Sequence, residues 1–392
     1  MPRLLKIGYT TIDQAVAKGV VDLAQPDSIM LYYNCGNFFE DVLYLVPFGK
    51  KNVSTQLTQT VRYQEVAFAP RANKYFAALL HLKRMRTLVN TLLDSFRPDV
   101  VQICGPHVPA ILALASSRLR KCPTVCFIEA YWEDILASQN YFPGFVRRLL
   151  PLWYRWVYRA FDIYTGAPSL SPDYYSAKGM ARDRIAAWVQ EFDLRVVDAV
   201  PDAEAPEELL SAQRPLICTV GRLHPEKLPG DVVRIFAGAV ANGRPGTLAL
   251  VGDGSERAAL EKYVAENGIE SRVIFLGQLP LRRAIATMKA CDLMIAPMQG
   301  TALVEAMASE LAIVAYDHET HRAHIRDSIN GRLVPHQDVA AAAEAVRALI
   351  DRPDERRRLA RAARDYVRER YSFEQVAAIM RDGFCRALAT RS

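Results

Sequence analysis

Nothing in this chain of 392 residues approaches the run of about 18–20 apolar residues that crosses a bilayer. Its opening, MPRLLKIGYTT, carries charges but no sustained apolar stretch and no small-residue cleavage site. The expected location is the cytoplasm, with the inner face of a membrane as the closest approach to lipid. Cysteine is scarce: Cys35, Cys104, Cys122, Cys126, Cys218, Cys291 and Cys385 are an odd number, and most lie in apolar runs, as buried thiols do. A disulfide scaffold is not expected, and Cys122 with Cys126 lacks the second pair that a zinc site needs. Excess charge is small too. Lys and Arg total 49 against 43 Asp and Glu, a net +6 that favours an anionic ligand or an acidic membrane surface without demanding nucleic acid. Repeats and low-complexity tracts are missing, which excludes collagen, coiled coil and disorder. What remains, 51% hydrophobic and 23% charged, is an ordinary globular composition with chain enough for two domains.

From about Pro215 to Val334 short apolar runs alternate with amphipathic segments: PLICTV, GDVVRIFAGAVANG, TLALVGDG, SERAALEKYVAENG, RVIFLG, LRRAIATMKAC, DLMIAP, TALVEAMASE, AIVAYD and GRLVP. The short runs are apolar throughout, as strands buried on both faces of a parallel sheet are. This predicts a doubly wound α/β domain. Ser255 and Ser372 stand where helix N-caps are needed. In the first half SIMLYY, DVLYLVPFG, PDVVQICG, PTVCFIEAY and FDIYTGAP read as strands between helical stretches, so a second Rossmann-like domain is expected. The expected division is residues 1–195, a polar and acidic linker over 196–214, a second domain over 215–371, and a final helix over 372–392.

Ligands collect outside the carboxyl ends of strands in an open parallel sheet, so the residues there carry the functional reading. Gly221-Arg222 follows the first strand of the second domain, with Lys227 five residues later; Gly252-Asp253-Gly254 follows the second, Gly277-Gln278-Leu279 the third, and Gly300-Thr301-Ala302-Leu303 the fourth. Glycine admits close backbone approach, a helix N-terminus offers N–H groups, and Arg with Lys neutralises a pyrophosphate. Together they predict a nucleotide-diphosphate site. Glu305, one turn into the helix opened by Thr301, is placed to accept bonds from two ribose hydroxyls.

The stretch from GRLHPEK through LVGDG, VIFLGQL and ALVEAMASELAIVAYD to NGRLVP resembles the C-terminal donor-binding domain of glycosyltransferase family 4, whose GT-B fold sets two Rossmann-like domains face to face. The resemblance implies a retaining, metal-independent enzyme with a nucleotide sugar, UDP- or GDP-linked, as donor substrate and no further cofactor. It implies that Arg222 and Lys227 hold the diphosphate, Glu305 the ribose, and the backbone of Gln278 and Leu279 the base. It implies front-face displacement onto a sugar or lipid-linked acceptor hydroxyl, in polysaccharide, lipopolysaccharide or glycolipid synthesis, and a last helix that crosses back to the first domain.

This chain departs from the family in three places. Pro297 stands where the first glutamate of the family's pair is found, and the usual loop is shortened to Q-G-T, with Gln299 or Thr301 as substitutes toward the donor sugar. No N-terminal glycine-rich loop is evident beyond Asn34-Cys35-Gly36-Asn37. Glu129 stands where the family has a histidine, and is a candidate to polarise the acceptor or bond the donor sugar; His107 is a candidate on the acceptor side. Two other readings are a non-catalytic GT-B relative acting as a partner subunit and a GT-B epimerase. His318, His321 and His324 have a spacing that zinc can use, against a variable structural segment. Residues 141–161 combine four arginines with eight aromatics, which suits either a membrane interface or a helix packed on the first domain's core, with Pro151 interrupting it.

Overall fold

The computed structural model describes residues 1–17, 29, 33–47, 49–67, 82–105, 116, 118–128, 144–166, 172–186, 194–201 and 204–390. These form two compact units, one of Met1–Glu191 with Phe373–Ser392 and one of Phe192–Ser372. Each is an α/β unit around its own sheet.

The first unit holds β1 (Arg3–Ile7), β2 (Asp41–Val46), β3 (Val53–Gln56), β4 (Val61–Glu65), β5 (Val100–Cys104), β6 (Thr124–Ile128) and β7 (Ile163–Gly166), in the order β3-β4-β2-β1-β5-β6-β7. All neighbours are parallel except β3, which pairs antiparallel with β4 at the edge. The central strands are buried along nearly their whole length, as sheets covered on both faces require. Helices α1 (Leu82–Phe96) and α2 (Gly144–Ala160) pack on one face through Val89, Leu93, Tyr154, Val157 and Tyr158. The final helix, Phe373–Ala389, belongs to this unit: Phe384 meets Phe39 edge to face at 5.0 Å, and the Arg381 Nε donates to the Cys35 carbonyl at 2.9 Å.

One sequence expectation is corrected here. Of SIMLYY, read as a strand, Ile29 and Tyr33 are helical and the other four residues lie outside the described ones; the central strand is RLLKI near the start. A short apolar run has no period that separates strand from buried helix. Asn34-Cys35-Gly36-Asn37, the nearest candidate for a glycine-rich loop, is engaged within the unit. Asn34 is buried and bonded to Phe39 and Thr60, and Arg381 of the last helix takes the carbonyls of Cys35 and Gly36.

The second unit is a six-stranded parallel sheet, β8 (Leu216–Val220), β9 (Thr247–Val251), β10 (Val273–Gly277), β11 (Leu293–Ala296), β12 (Ala312–Tyr316) and β13 (Arg332–Val334), ordered β10-β9-β8-β11-β12-β13. Its layers are α3 (Pro229–Ala239), α4 (Arg257–Glu266), α5 (Leu281–Ala290), α6 (Thr301–Ala308), α7 (Val339–Asp351) and α8 (Pro353–Arg370). Pro229 opens α3 where its missing N–H costs nothing, and the Asp338 carboxylate caps α7 by accepting from Ala341 N–H. Ser255 does not cap α4. That helix starts at Arg257, and Glu256 N–H is taken by the Leu223 carbonyl instead. The acidic stretch read as a linker is tied to this unit by Asp198 with Arg364, Glu204 with Arg282, and the Val200 carbonyl with Lys289.

The order reverses between β8 and β11. Connections leave those two strands toward opposite edges and open a crevice at their carboxyl ends.

Candidate functional site

A glycine stands at the carboxyl end of each of three neighbouring strands: Gly221 after β8, Gly252 after β9 and Gly277 as the last residue of β10. Gly221 N–H bonds the Val251 carbonyl, and Gly252 N–H bonds the Gly277 carbonyl at 2.7 Å. Only glycine fits at Gly252: its φ is +136°, and a Cβ there would lie 1.9 Å from the Gly221 carbonyl oxygen. A Cβ at Gly254 would lie 2.3 Å from the Leu223 oxygen. Gly252 and Gly254 thus let the loops after β8 and β9 lock together, with Leu223 N–H on the Asp253 carbonyl. Gly252→Ala is expected to lower the free energy of unfolding by about 3 kcal/mol, through backbone collision and strain. An unchanged urea midpoint would refute that role.

The loop after β8 carries the cations. Arg222 is exposed and paired with Glu226. Lys227 ends a single helical turn, Pro225–Lys227, and reaches across the crevice to donate from Nζ to the Met298 carbonyl at 3.0 Å. Burial holds its ammonium below the ordinary lysine range; Glu226 opposes that shift and Arg222 adds to it. Its other two protons have no partner among the described residues.

The facing loop, after β11, is held from several sides. Gln299 is buried, donates from Nε2 to Thr219 Oγ1 at 2.9 Å, and accepts from Met298 N–H at 3.0 Å. It is therefore not a substitute reaching toward a donor sugar, because its amide is consumed in joining this loop to β8. Gly300 precedes α6 with open space where a Cβ would stand. The N–H groups of Gly300 and Ala302 have no acceptor among the described residues, whereas Leu303 N–H turns back to the Gly300 carbonyl at 2.9 Å. Leu303 is also fully buried, so it offers a ligand nothing. Thr301 is exposed at the helix start.

Glu305 is partly buried in the next turn, with no hydrogen bond or ion pair to its carboxyl among the described residues. Burial pushes that carboxyl up to about 7. An unpartnered acid of this kind is the exception among buried groups, and marks a place where a ligand supplies the donors. At the far end of the sheet, Gln278 is exposed and Leu279 partly so, and the backbone of neither makes a hydrogen bond among the described residues. Beside them the Arg257 guanidinium lies 5.8 Å from the Phe275 ring centre, steered by Asp253 and Glu261.

The histidines do not form a metal cluster: among the described residues no group of three His, Cys, Asp or Glu is placed to hold an ion. His321 is buried between two carbonyls, Nδ1 at 2.7 Å from Tyr316 O and Nε2 at 3.1 Å from Gln299 O. It buttresses the loop that leads into α6. His324 faces the Tyr371 hydroxyl at 3.2 Å, and burial with the nearby His321 pushes it down to about 4. Sequence reasoning missed Thr219, His321 and Arg257 as parts of this site. Each acts through a contact with a residue distant in sequence, and only the strand-end position of Thr219 was a signal. Glu129 and His107 lie outside the described residues.

Fold and crevice together define a protein of two Rossmann-like units, one of which offers cations, free N–H groups and a lone acid at its switch point. Its family follows from sequence: residues 202–366 match Glycosyl transferases group 1, and residues 50–200 match the Glycosyl transferase 4-like domain. The chain belongs to these GT-B glycosyltransferases. It is 29% identical over 205 residues to the 2-deoxystreptamine glucosyltransferase of Streptomyces kanamyceticus, covering 47% of this chain and 53% of that protein. It is 36% identical over 140 residues to the phosphatidyl-myo-inositol mannosyltransferase of Mycobacterium leprae (strain TN), covering 34% and 36%. The chain thus spans about half or less of the curated relatives it matches. HepE of Anabaena, solved with UDP and glucose, superposes over 98% of this chain and 100% of its own with a TM-score of 0.70 at 17% identity.

Proposed function

We propose that this chain transfers a hexose, with retention, from a UDP- or GDP-linked donor to the hydroxyl of a sugar or lipid-linked acceptor, in synthesis of a surface polysaccharide, lipopolysaccharide or glycolipid. The observation that carries the reading is the crevice between β8 and β11, with Lys227 and Arg222 on the loop after β8 and two free N–H groups and the unpartnered Glu305 at the start of α6. The diphosphate binds between Lys227 and the start of α6, the ribose hydroxyls donate to Glu305, and the base lies along Gln278 and Leu279. The two matched domains are the pair a GT-B transferase uses, and a UDP complex in HepE and a glycolipid product in the mannosyltransferase's name support donor and acceptor class.

The sugar leaves the diphosphate as the acceptor hydroxyl enters on the same face, and the leaving phosphate oxygen takes the hydroxyl proton. Arg222, Lys227 and the N–H groups at Gly300 and Ala302 stabilise the charge growing on that oxygen. Glu129 and His107 are proposed on the acceptor side, Glu129 polarising the entering hydroxyl. The division proposed is an acceptor half up to residue 195, a donor half over 215–371, and a returning helix from 372.

One observation favours a second reading, that of a nucleotide-sugar-binding partner subunit without transfer. Pro297 replaces the acid expected over the donor sugar, and Gln299 is tied back to Thr219. Thermal-shift measurements with UDP, GDP, ADP and TDP and their sugars test the site first, since a ligand at about a hundred times its Kd adds about 2.7 kcal/mol of stability. One base alone is expected to raise Tm, and its sugar conjugate to release free nucleoside diphosphate once acceptor is supplied. Stabilisation without any release on a panel of acceptors supports the second reading, and no shift with any nucleotide overturns both.

A further inference from the structure

Helix α2 of the first unit has two faces of different use. Tyr154, Val157 and Tyr158 are buried in that unit's core. The opposite face exposes Leu149 at 56%, Leu152 at 65% and Trp156 at 44%, which places one apolar side chain on each of three successive turns. Arg148, Arg155 and Arg159 are exposed along the same stripe, and none has a carboxylate partner among the described residues. The helix, GFVRRLLPLWYRWVYRA, contains no acid at all. It runs through Pro151 without ending, so one continuous surface is presented, and exposed Lys178 extends its positive charge next to Gly179, where Arg155 and Arg159 lie.

We infer that this face of α2 docks the protein on an anionic lipid surface. Leucine and tryptophan enter the boundary between headgroups and acyl chains, while the guanidinium groups interleaved with them pair with lipid phosphates. A second copy is the poorer occupant, because a two-fold contact through this face sets arginines against arginines. The inference extends the proposal of a lipid-linked acceptor, but it rests on the first unit alone, and vesicle binding is read without donor or acceptor.

The test is co-sedimentation of the full chain with phosphatidylcholine vesicles, with and without phosphatidylglycerol. Binding is expected only with the anionic lipid and is expected to weaken with salt. Leu152→Glu with Trp156→Glu is expected to reduce partitioning by more than about tenfold, and Arg155→Gln with Arg159→Gln by roughly fivefold per charge. Arg155→Lys with Arg159→Lys is expected to keep it, and all variants to keep the parent Tm and nucleotide-induced shift. Three results overturn the inference: no binding by the parent protein at low salt, unaltered binding by folded variants, or a concentration-dependent dimer that Leu152→Glu abolishes in the absence of vesicle binding. Loss of vesicle binding with the nucleotide shift intact removes the docking surface and leaves the donor site standing.

Discussion

Lys227→Ala will slow sugar transfer more than Arg222→Ala, although both cations are proposed to hold the same diphosphate. A hydrogen bond to a charged group contributes about 1.5–3 kcal/mol, so losing the exposed Arg222 is expected to lower kcat/KM by roughly ten- to a hundredfold. Lys227 has a second task. Its Nζ is bonded to the Met298 carbonyl, and that bond fixes the loop leading into α6. Removing it takes away a charge and also releases the Gly300 and Ala302 N–H groups from their aim, so a loss of about a hundredfold or more is expected. The measurement is nucleoside-diphosphate release from the donor at varied concentration, with thermal unfolding as the control for fold. Equal and unchanged turnover in the two variants removes both residues from the site.

Glu305→Gln will make the free protein more stable at alkaline pH and the nucleotide complex weaker. The Glu305 carboxyl is pushed up to about 7 by burial alone, above the usual carboxylate value of 4.5, so the folded state disfavours its ionised form. Folding then binds a proton between those two values, and stability falls as pH rises through that window. A shift of this size is worth roughly 3 kcal/mol above pH 7, which is the upper bound on what the neutral glutamine recovers. The two proteins are expected to converge only as pH falls below 4.5, where the carboxyl is protonated in the unfolded chain as well as in the folded one. Nucleotide binding has the opposite sign. In the proposed complex ribose hydroxyls donate to the carboxylate and favour its charge, so binding near pH 6 is expected to release a proton and affinity to decline as pH drops below about 7. Calorimetry in two buffers of different ionisation enthalpy reads that proton directly. A glutamine variant that binds as well as the parent at pH 8 would remove Glu305 from the ribose.

The architecture of the second unit was legible because its strands are mostly apolar on both faces and the first three end at a glycine. Those signals are local, and a parallel sheet repeats the apolar pattern from strand to strand. The sheet of the first unit was harder to read. RLLKI holds a buried lysine, and the β3–β4 edge, VSTQ and VRYQE, is largely polar, so neither has the apolar density on which the reading depended. The cations, glycines and lone acid were found from their positions at strand ends. What they require from elsewhere was not found. Gln299 was one candidate to reach the donor sugar until Thr219 and Met298 took its amide, and His321, whose spacing left zinc open beside a structural role, has its ring between two carbonyls. Burial decides such cases, and sequence spacing has no measure of it.

The last helix also bears on how the protein is made. The first unit leaves the ribosome before the second, yet Phe39, Cys35 and Gly36 wait for Phe384 and Arg381, which are synthesised after the whole of the second unit. The usual order, in which an N-terminal domain folds first, is therefore inverted at the final step. Until residues 373–389 are made, the earlier unit carries an open seat for that helix, and only their synthesis fills it.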